Sequence, residues 1–571
     1  VIERLVRFAV ARRGWMLAGW FLLAACLLGI AVRLKLDALP DITSNQVQVL
    51  TRAPGLTPEE VEQRVTRPLE TSFGGIAGLI ETRSLSRYGL SAITLVFEDE
   101  IDILRARQLV AERMASSPGA RVEGVDAPEL GPISGGLGEV FHFTLSAPAR
   151  TTAELLELVE LRAAPILKTV PGVVEVNTWG GTQRTLEVRA DPAKLVAHRI
   201  AFEELKVALE RTVGSQPGAA LETGDRQLLL RGAFLPKTPA ELAGALVEVK
   251  DGTAIRVGDV ATVVEGAEPR LGAATRDGRG ETVYVMAQML IGANARDVTR
   301  GVRAKLDEVR AALPEDVHLD VVYDRSELVN ATLRTVGKSL LEGGLLVCAV
   351  LFLMLGSARA GLIVAMTIPV AMIGSTAAMT LLGASGNLMS LGAVDFGLLV
   401  DGAVVLVEHV FHEHGDEGDA TWAERVSRAC AAVARPSFFG VAVILLVYVP
   451  VLSLTGVDGK LFRPMAVTVV LALVVALLFS LTFIPAATAA LLRPQDVPKR
   501  APLLVRAIER IHGPLLGRAT RGAWLAFTLA VAGGALALAL VVVSRMGSEL
   551  APTLDEGALV IQTTRHPDIG I

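Results

Sequence analysis

Seven stretches of about twenty mostly apolar residues, near 14–32, 336–356, 361–382, 388–410, 437–455, 465–492 and 523–543, dictate what this 571-residue chain can become. Each is long enough to cross a hydrocarbon core about 30 Å thick. Hydrocarbon offers the backbone no water, so each stretch has to close its hydrogen bonds on itself as a helix. Between the first and second stretches lie about 300 residues of ordinary globular composition. The 51% hydrophobic content and mean hydropathy of +0.48 average these two parts. The chain therefore reads as an α-helical membrane bundle carrying a large soluble insert, and the lipid bilayer is its first partner.

Lys and Arg in the short loops orient the bundle. Arg4, Arg7, Arg12 and Arg13 precede the first stretch, Arg359 separates the second from the third, and Arg425, Arg428 and Arg435 lie between the fourth and fifth. Residues 493–521 add seven basic residues against two acidic ones. The positive-inside rule puts these regions in the cytoplasm, and the insert and the loops Gly383–Asn387 and Gly456–Arg463 on the other side, with Lys460 and Arg463 as exceptions. The first stretch runs too long for a cleaved signal peptide and leads into Val-Arg-Leu-Lys-Leu-Asp, with no small-residue cleavage site. Residues 1–33 thus form a cytoplasmic N-terminus and first span, 336–492 spans two to six, 493–522 a basic linker helix along the inner leaflet, and 523–544 the seventh span. Cys26, Cys348 and Cys430 lack CxxC spacing and cannot staple the insert.

The fourth stretch breaks the apolar pattern. Ala393-Val-Asp-Phe-Gly-Leu-Leu-Val-Asp-Gly-Ala-Val-Val-Leu-Val-Glu-His409 holds three carboxylates, Asp395, Asp401 and Glu408. An Asp at the centre of a span costs roughly 2.5–3.5 kcal/mol, and each Leu or Val returns only about 0.3–0.6 kcal/mol. The seven Leu and Val residues between the acids cannot offset them. Such a segment inserts only if its acids face protein or water or carry protons, so the expected role is an ion or proton pathway. At about 100° per residue along one helix Asp401 and Glu408 fall within about 20° of each other and Asp395 lies about 120–140° away, so the helix is expected to show acids on two neighbouring interior faces. Glu342 in the second span is a possible accessory acid, though a single acid near a helix end more often snorkels to the interface. Met366, Met372 and Met379 in the third span are read as core filling, and His412-Glu-His414 as a solvated loop.

The insert reads as two copies of one αβ unit. Residues 34–134 offer a strand at Gln46–Leu50, a helix at Pro58–Phe73, strands near Ile80–Arg87 and Ser91–Phe97, and a helix at Ile101–Met114. Residues 135–335 repeat the order with a strand at Val140–Leu145, a helix at Thr152–Val170 and strands at Val173–Trp179 and Arg184–Arg189. This β-α-β-β-α order is ferredoxin-like. An insertion at about 185–275, strand- and Gly-rich from about 215, interrupts the second copy, and a helix near Asn294–Ala312 and a strand at His318–Tyr323 return to the membrane. A longer repeat joins Arg33-Leu-Lys-Leu-Asp-Ala-Leu-Pro40 to Arg545-Met-Gly-Ser-Glu-Leu-Ala-Pro552, each an Arg past a span, an acid four residues on, and a Pro leading into a β-type run. Residues 545–571 then read as the start of a second periplasmic repeat, and the whole as an N-terminal half plus one span.

With these features the chain resembles the resistance-nodulation-division superfamily of proton-driven efflux permeases. The resemblance rests on the Leu39-Pro40-Asp41 turn, the layout of one span, insert and six further spans, the internal duplication and the acidic fourth span. Asp395-Phe396-Gly397 and Asp401-Gly402-Ala403, followed by Glu408, match the pattern of the heavy-metal branch, with His409 where Asn is usual. The resemblance implies ferredoxin-like porter subdomains with a small β-rich docking insertion. It implies a proton relay at Asp395, Asp401 and Glu408, a homotrimer in the bacterial inner membrane, and partnership with a periplasmic adaptor and an outer-membrane channel. It implies no enzyme activity and no cofactor beyond the proton gradient, with the metal ion as cargo. The run Val560-Ile-Gln-Thr-Thr lacks the Met expected where soft thioethers hold monovalent copper or silver, which favours a divalent cation. Export of drugs or other amphipathic compounds, or a non-transporting sensor of the same fold, is the alternative, against which 5% aromatic residues argue.

Rival classes fare worse. Gly337-Lys338-Ser339 ends like a phosphate loop, but Thr332 stands where the first glycine belongs and the sequence leads into a span. An intramembrane aspartyl protease needs its two acids on different helices. No nucleic-acid partner and no resident metal site are expected, since His142, His198 and His318 in the insert share no ligand spacing.

Overall fold

The computed structural model describes residues 2–35, 37, 40–212, 215–216, 220–223, 226–229, 232–233, 235–250, 252–268, 270, 272–392, 394–413, 420–498, 502–547 and 559–563. Two compact units emerge. One combines Val1–Val140, Met289–Arg300 and Asp324–Ala558; the other holds Phe141–Gln288, Gly301–Tyr323 and Leu559–Ile571.

Each of the seven apolar stretches contains helix, and among the described residues six helices are long and apolar enough to cross a membrane: Arg13–Ala31, Arg325–Leu355, Ala358–Leu381, Trp422–Leu452, Gly456–Leu491 and Gly522–Arg545. The acidic stretch is the exception to the expected seven. It forms a short helix, Leu388–Gly392, and then Phe396–His412. Seventeen helical residues reach only about 25 Å at 1.5 Å each, so this element falls short of a full hydrocarbon thickness. The Gly456–Leu491 helix is the hub of the bundle, with its residues from Thr482 to Ala489 almost all buried. Trp20 donates its indole N–H to Thr482 Oγ1 at 2.9 Å and meets the Phe479 ring edge-on at 5.1 Å, which fixes the first span on this hub. Met379 is fully buried and accepts a bond from Thr468 Oγ1 at 3.1 Å, the core role expected of it.

In the first unit, four strands order as Leu79–Arg87, Leu90–Phe97, Asn45–Arg52 and Glu129–Leu130. Alternation puts Val47, Val49, Ile93 and Leu95 on one face, where Val61, Val65, Leu69 and Phe73 of one helix and Ala106 and Val110 of another close the core. Along the chain these elements run in the order β-α-β-β-α.

The second copy shares its local grammar. Thr57 with Glu60 and Thr151 with Glu154 form matching capping boxes. Each helix then widens into a π turn, Glu62–Thr66 or Val159–Ala163, just before an Arg67-Pro68 or Ala164-Pro165 step. Proline cannot donate to the carbonyl four residues back, so both copies accommodate the same defect in the same way.

The sheet of the second copy corrects the expectation. Strand Arg184–Ala190 leaves it and pairs antiparallel with Ala261–Ala267 in the inserted subdomain. The strand beside Ser134–Ser146 is instead Glu281–Leu290, which also pairs with Val173–Trp179, and His318–Asp324 flanks the other side. Of the second long repeat, Glu549 and Pro552 lie outside the described residues, and Leu559–Thr563 carries no strand.

Candidate functional site: the acidic helix and its anchor

The Phe396–His412 helix has two opposite faces. Phe396, Leu399, Ala403, Leu406 and Val410 are buried, and at 100° steps they cluster about 180° from Asp401. Asp401, Val405 and Glu408 form the other face and are exposed in this chain. The motif's small residues explain the packing. Gly402 faces Ser480 closely enough that a β-carbon there would sit 3.5 Å from its hydroxyl, and Ala403 is fully buried beside it. Phe396 packs its ring over Gly343 of the Arg325–Leu355 helix. The apolar and small half of the motif is a seam against neighbouring helices, and the acidic half looks outward.

Asp395 is not on that helix. It is the N-cap, with extended backbone, and its Oδ1 accepts from the Gly397 amide at 2.8 Å. The angular placement relative to Asp401 therefore does not hold; Asp395 sits at the mouth of the helix and completes its first turn. Among the described residues neither Asp401 nor Glu408 has a hydrogen-bond or ion-pair partner. His409 Nε2 lies 3.3 Å from Glu413 Oε1, one turn further along. Glu342, the proposed accessory acid, pairs with Lys338 at 3.8 Å on the exposed side of its own helix and reaches none of the three acids. His414 lies outside the described residues, as does Leu39 of the Leu-Pro-Asp turn; Pro40 is buried, and Asp41 accepts from the Thr43 amide at 2.9 Å.

An anchor that the sequence reading missed lies at the entrance to this helix. The loop before it pairs through its backbone with the chain just past the first span: the Asp37 amide donates to Gly386 O at 3.0 Å and the Gly386 amide to Lys35 O at 2.8 Å. The Asp37 carboxylate in turn accepts from Arg325 at 2.9 Å, and Arg325, almost fully buried, also donates to the Leu137 carbonyl. Arg325 opens the Arg325–Leu355 helix, so one guanidinium holds the second span, the exit of the first, the start of strand Ser134–Ser146 and, through residue 37, the loop into the acidic helix. A second tie runs from Lys460, which bonds Thr43 O and Asp99 Oδ1, both at 2.7 Å. The signal was present, since Lys460 broke the loop-charge rule and Arg325 begins an apolar span; both charges are spent on partners across the first unit.

Asn387 and Ser390 bond each other's amides at 2.8 and 2.9 Å, which rigidifies the turn between the bridged loop and the acids.

A bundle of long apolar helices, a shorter helix with an acidic face among them, and repeated αβ units are the features of the resistance-nodulation-division class. The chain belongs to the AcrB/AcrD/AcrF family, whose sequence model matches residues 5–571. It is 41% identical over 584 residues to protein HelA of Legionella pneumophila, covering 99% of this chain and 55% of that protein. It is 39% identical over 586 residues to the cobalt-zinc-cadmium resistance protein CzcA of Cupriavidus metallidurans, covering 99% and 54%. Identity to the cation efflux system protein CusA of Escherichia coli K12 is 30% over 584 residues, covering 100% and 55%. A crystal structure of a heavy metal efflux pump superposes with a TM-score of 0.81 at 33% identity, covering 95% of this chain and 52% of that one. The chain spans about half the length of the relatives it matches.

Proposed function

We propose that this chain works as part of a proton-driven inner-membrane permease that exports divalent heavy-metal cations. The observation that carries the reading is the acidic face of the Phe396–His412 helix: two carboxylates in an apolar element, on the side left open by the packing. Facing lipid, that pair costs several kcal/mol. Facing a polar seam within a larger bundle, it can take up protons from one side and release them to the other. Asp401 and Glu408 are the exchanging pair in this account, with Asp395 the third acid, at the mouth. Each proton that moves inward supplies about 2.3 kcal/mol per 100 mV of membrane potential.

Protonation removes the cost of turning the acids toward apolar surroundings, so the helix has a different preferred packing in its two charge states. The bridged loop at Gly386 and the Asp37–Arg325 pair connect that shift to the base of the first αβ unit. Metal passage through the exported domain would follow from such movements.

The choice of a divalent cation is supported by relatives named for cobalt, zinc and cadmium at 39% identity and for nickel, cobalt and cadmium at 38%. Buried Met379, bonded within the core, supports no soft-metal path through the third span. The same reading includes a homotrimer that docks a periplasmic adaptor and an outer-membrane channel. A growth panel tests it: deleting the gene should sensitise cells to one or two of zinc, cobalt, cadmium and nickel, and leave tolerance of silver and of amphipathic drugs unchanged. Selective loss of drug tolerance would replace this reading with the alternative cargo.

A further inference from the structure

The corner where the Ile2–Ala11 helix gives way to Arg13–Ala31 carries an open recess of roughly 440 Å³ lined by Phe8, Arg12, Trp15 and Met16. Two of its walls are large apolar side chains left in the open, Phe8 at 57% and Trp15 at 79% exposure. Arg12 is exposed too, and among the described residues its guanidinium has no hydrogen-bond or ion-pair partner. Its neighbour Arg13 is committed, donating to Ala489 O at 3.2 Å. Arg4 and Arg7, on the preceding helix, are exposed as well, and the only carboxylate among residues 1–36 is Glu3.

The recess thus asks for two things at once: hydrocarbon against Phe8 and Trp15, and an anion against Arg12. The helix that continues from it packs Leu17 and Trp20 on its neighbours but has no fully buried residue, and it exposes Phe21 and Leu22 by 61% and 69%. An acyl chain lying along that helix would run without interruption from the recess into the bilayer, while the aromatic ring of Trp15 and the guanidinium sit at headgroup depth. We propose that this corner is a binding site for an anionic phospholipid, whose phosphate pairs with Arg12 and whose chains cover Phe8 and Trp15. The site does not depend on the transport reading. The selectivity is one of net charge: both phosphatidylcholine and an anionic lipid carry the phosphate, but choline's ammonium cancels it, and the field of Arg12 with the surrounding Arg4 and Arg7 favours the lipid that keeps its negative charge.

Quenching of Trp15 by brominated lipid tests this in the purified protein, reconstituted in phosphatidylcholine nanodiscs. Subtracting the signal of Trp15→Phe isolates the Trp15 component. Brominated phosphatidylglycerol should half-quench it at about a fivefold lower mole fraction than brominated phosphatidylcholine. The preference should vanish in Arg12→Gln and persist in Arg12→Lys; should Arg12→Gln not reconstitute, the comparison of the two lipids in the wild type decides. Equal quenching by both lipids would overturn the proposal in favour of an unselective lipid-facing surface. Absence of quenching by either would overturn it in favour of a polypeptide covering the corner.

Discussion

Arg325 carries the largest single-residue consequence in the membrane-proximal region. Its charge is buried, its partner Asp37 is mostly covered, and its other bond goes to a backbone carbonyl. Removing one member of such a pair leaves the other desolvated, a loss of about 3–5 kcal/mol. Arg325→Met should therefore lower the thermal unfolding temperature of the detergent-solubilised protein by several degrees, and Arg325→Lys by less; an unchanged melting point for Arg325→Met would show that the pair anchors nothing. Gly374 makes the opposite case. A β-carbon there would lie 2.7 Å from Val475 Cγ1, so the third span touches the hub through a glycine-sized gap. Gly374→Leu should overpack that seam by about 1–3 kcal/mol, read as reduced yield of folded protein, whereas Gly344→Leu, in open space, should be neutral.

At the scale of elements, the strands Ser134–Ser146, Glu281–Leu290 and His318–Asp324 hold a buried imidazole between two tyrosines. His142 Nδ1 lies 2.6 Å from the Tyr284 hydroxyl, and its ring is 4.8 Å from that of Tyr323. Burial pushes the imidazole down to about 4 from an ordinary 6.5. The unfolded chain thus binds the proton more readily, and stability rises with pH between these values. The contribution is complete above about pH 6.5 and is lost as pH falls toward 4, by an amount on the order of 3 kcal/mol. Amide exchange in Ser134–Ser146 should accelerate over that range in the wild type, and His142→Gln should flatten the dependence; an acceleration unchanged in His142→Gln would assign it elsewhere. How legible these elements were differs for physical reasons. The first αβ unit could be read closely because strand alternation, helix caps and short turns are local signals. The second could not, because Arg184–Ala190 takes its partner from residues 261–267 and Ser134–Ser146 takes Glu281–Leu290, pairings no local pattern encodes. Likewise the acids of the fourth stretch were legible as an energetic anomaly, but an Asp that caps a helix and one that lies on it look alike in an apolar sequence. Arg325 stood out as a charge opening an apolar span, but its partner was not legible, since Asp37 lies almost three hundred residues away.

For the whole molecule, the structure assigns the two kinds of motif residue to two jobs. Gly402, Ala403 and Phe396 fasten the short helix to its neighbours, and among the described residues Asp401 and Glu408 face away from the packing. The division implies that changes on the two sides fail differently. Ala403→Leu should reduce folded protein, because it wedges a fully packed seam. Substitutions of the acids should leave folding intact, because no internal bond is lost. The central claim, that this open face moves the protons which drive metal export, is tested most directly by an Asp401→Asn allele at the native locus, grown in graded zinc, cobalt, cadmium and nickel. The account predicts sensitivity equal to that of a deletion at an unchanged level of protein in the membrane. Wild-type resistance in that allele would contradict it.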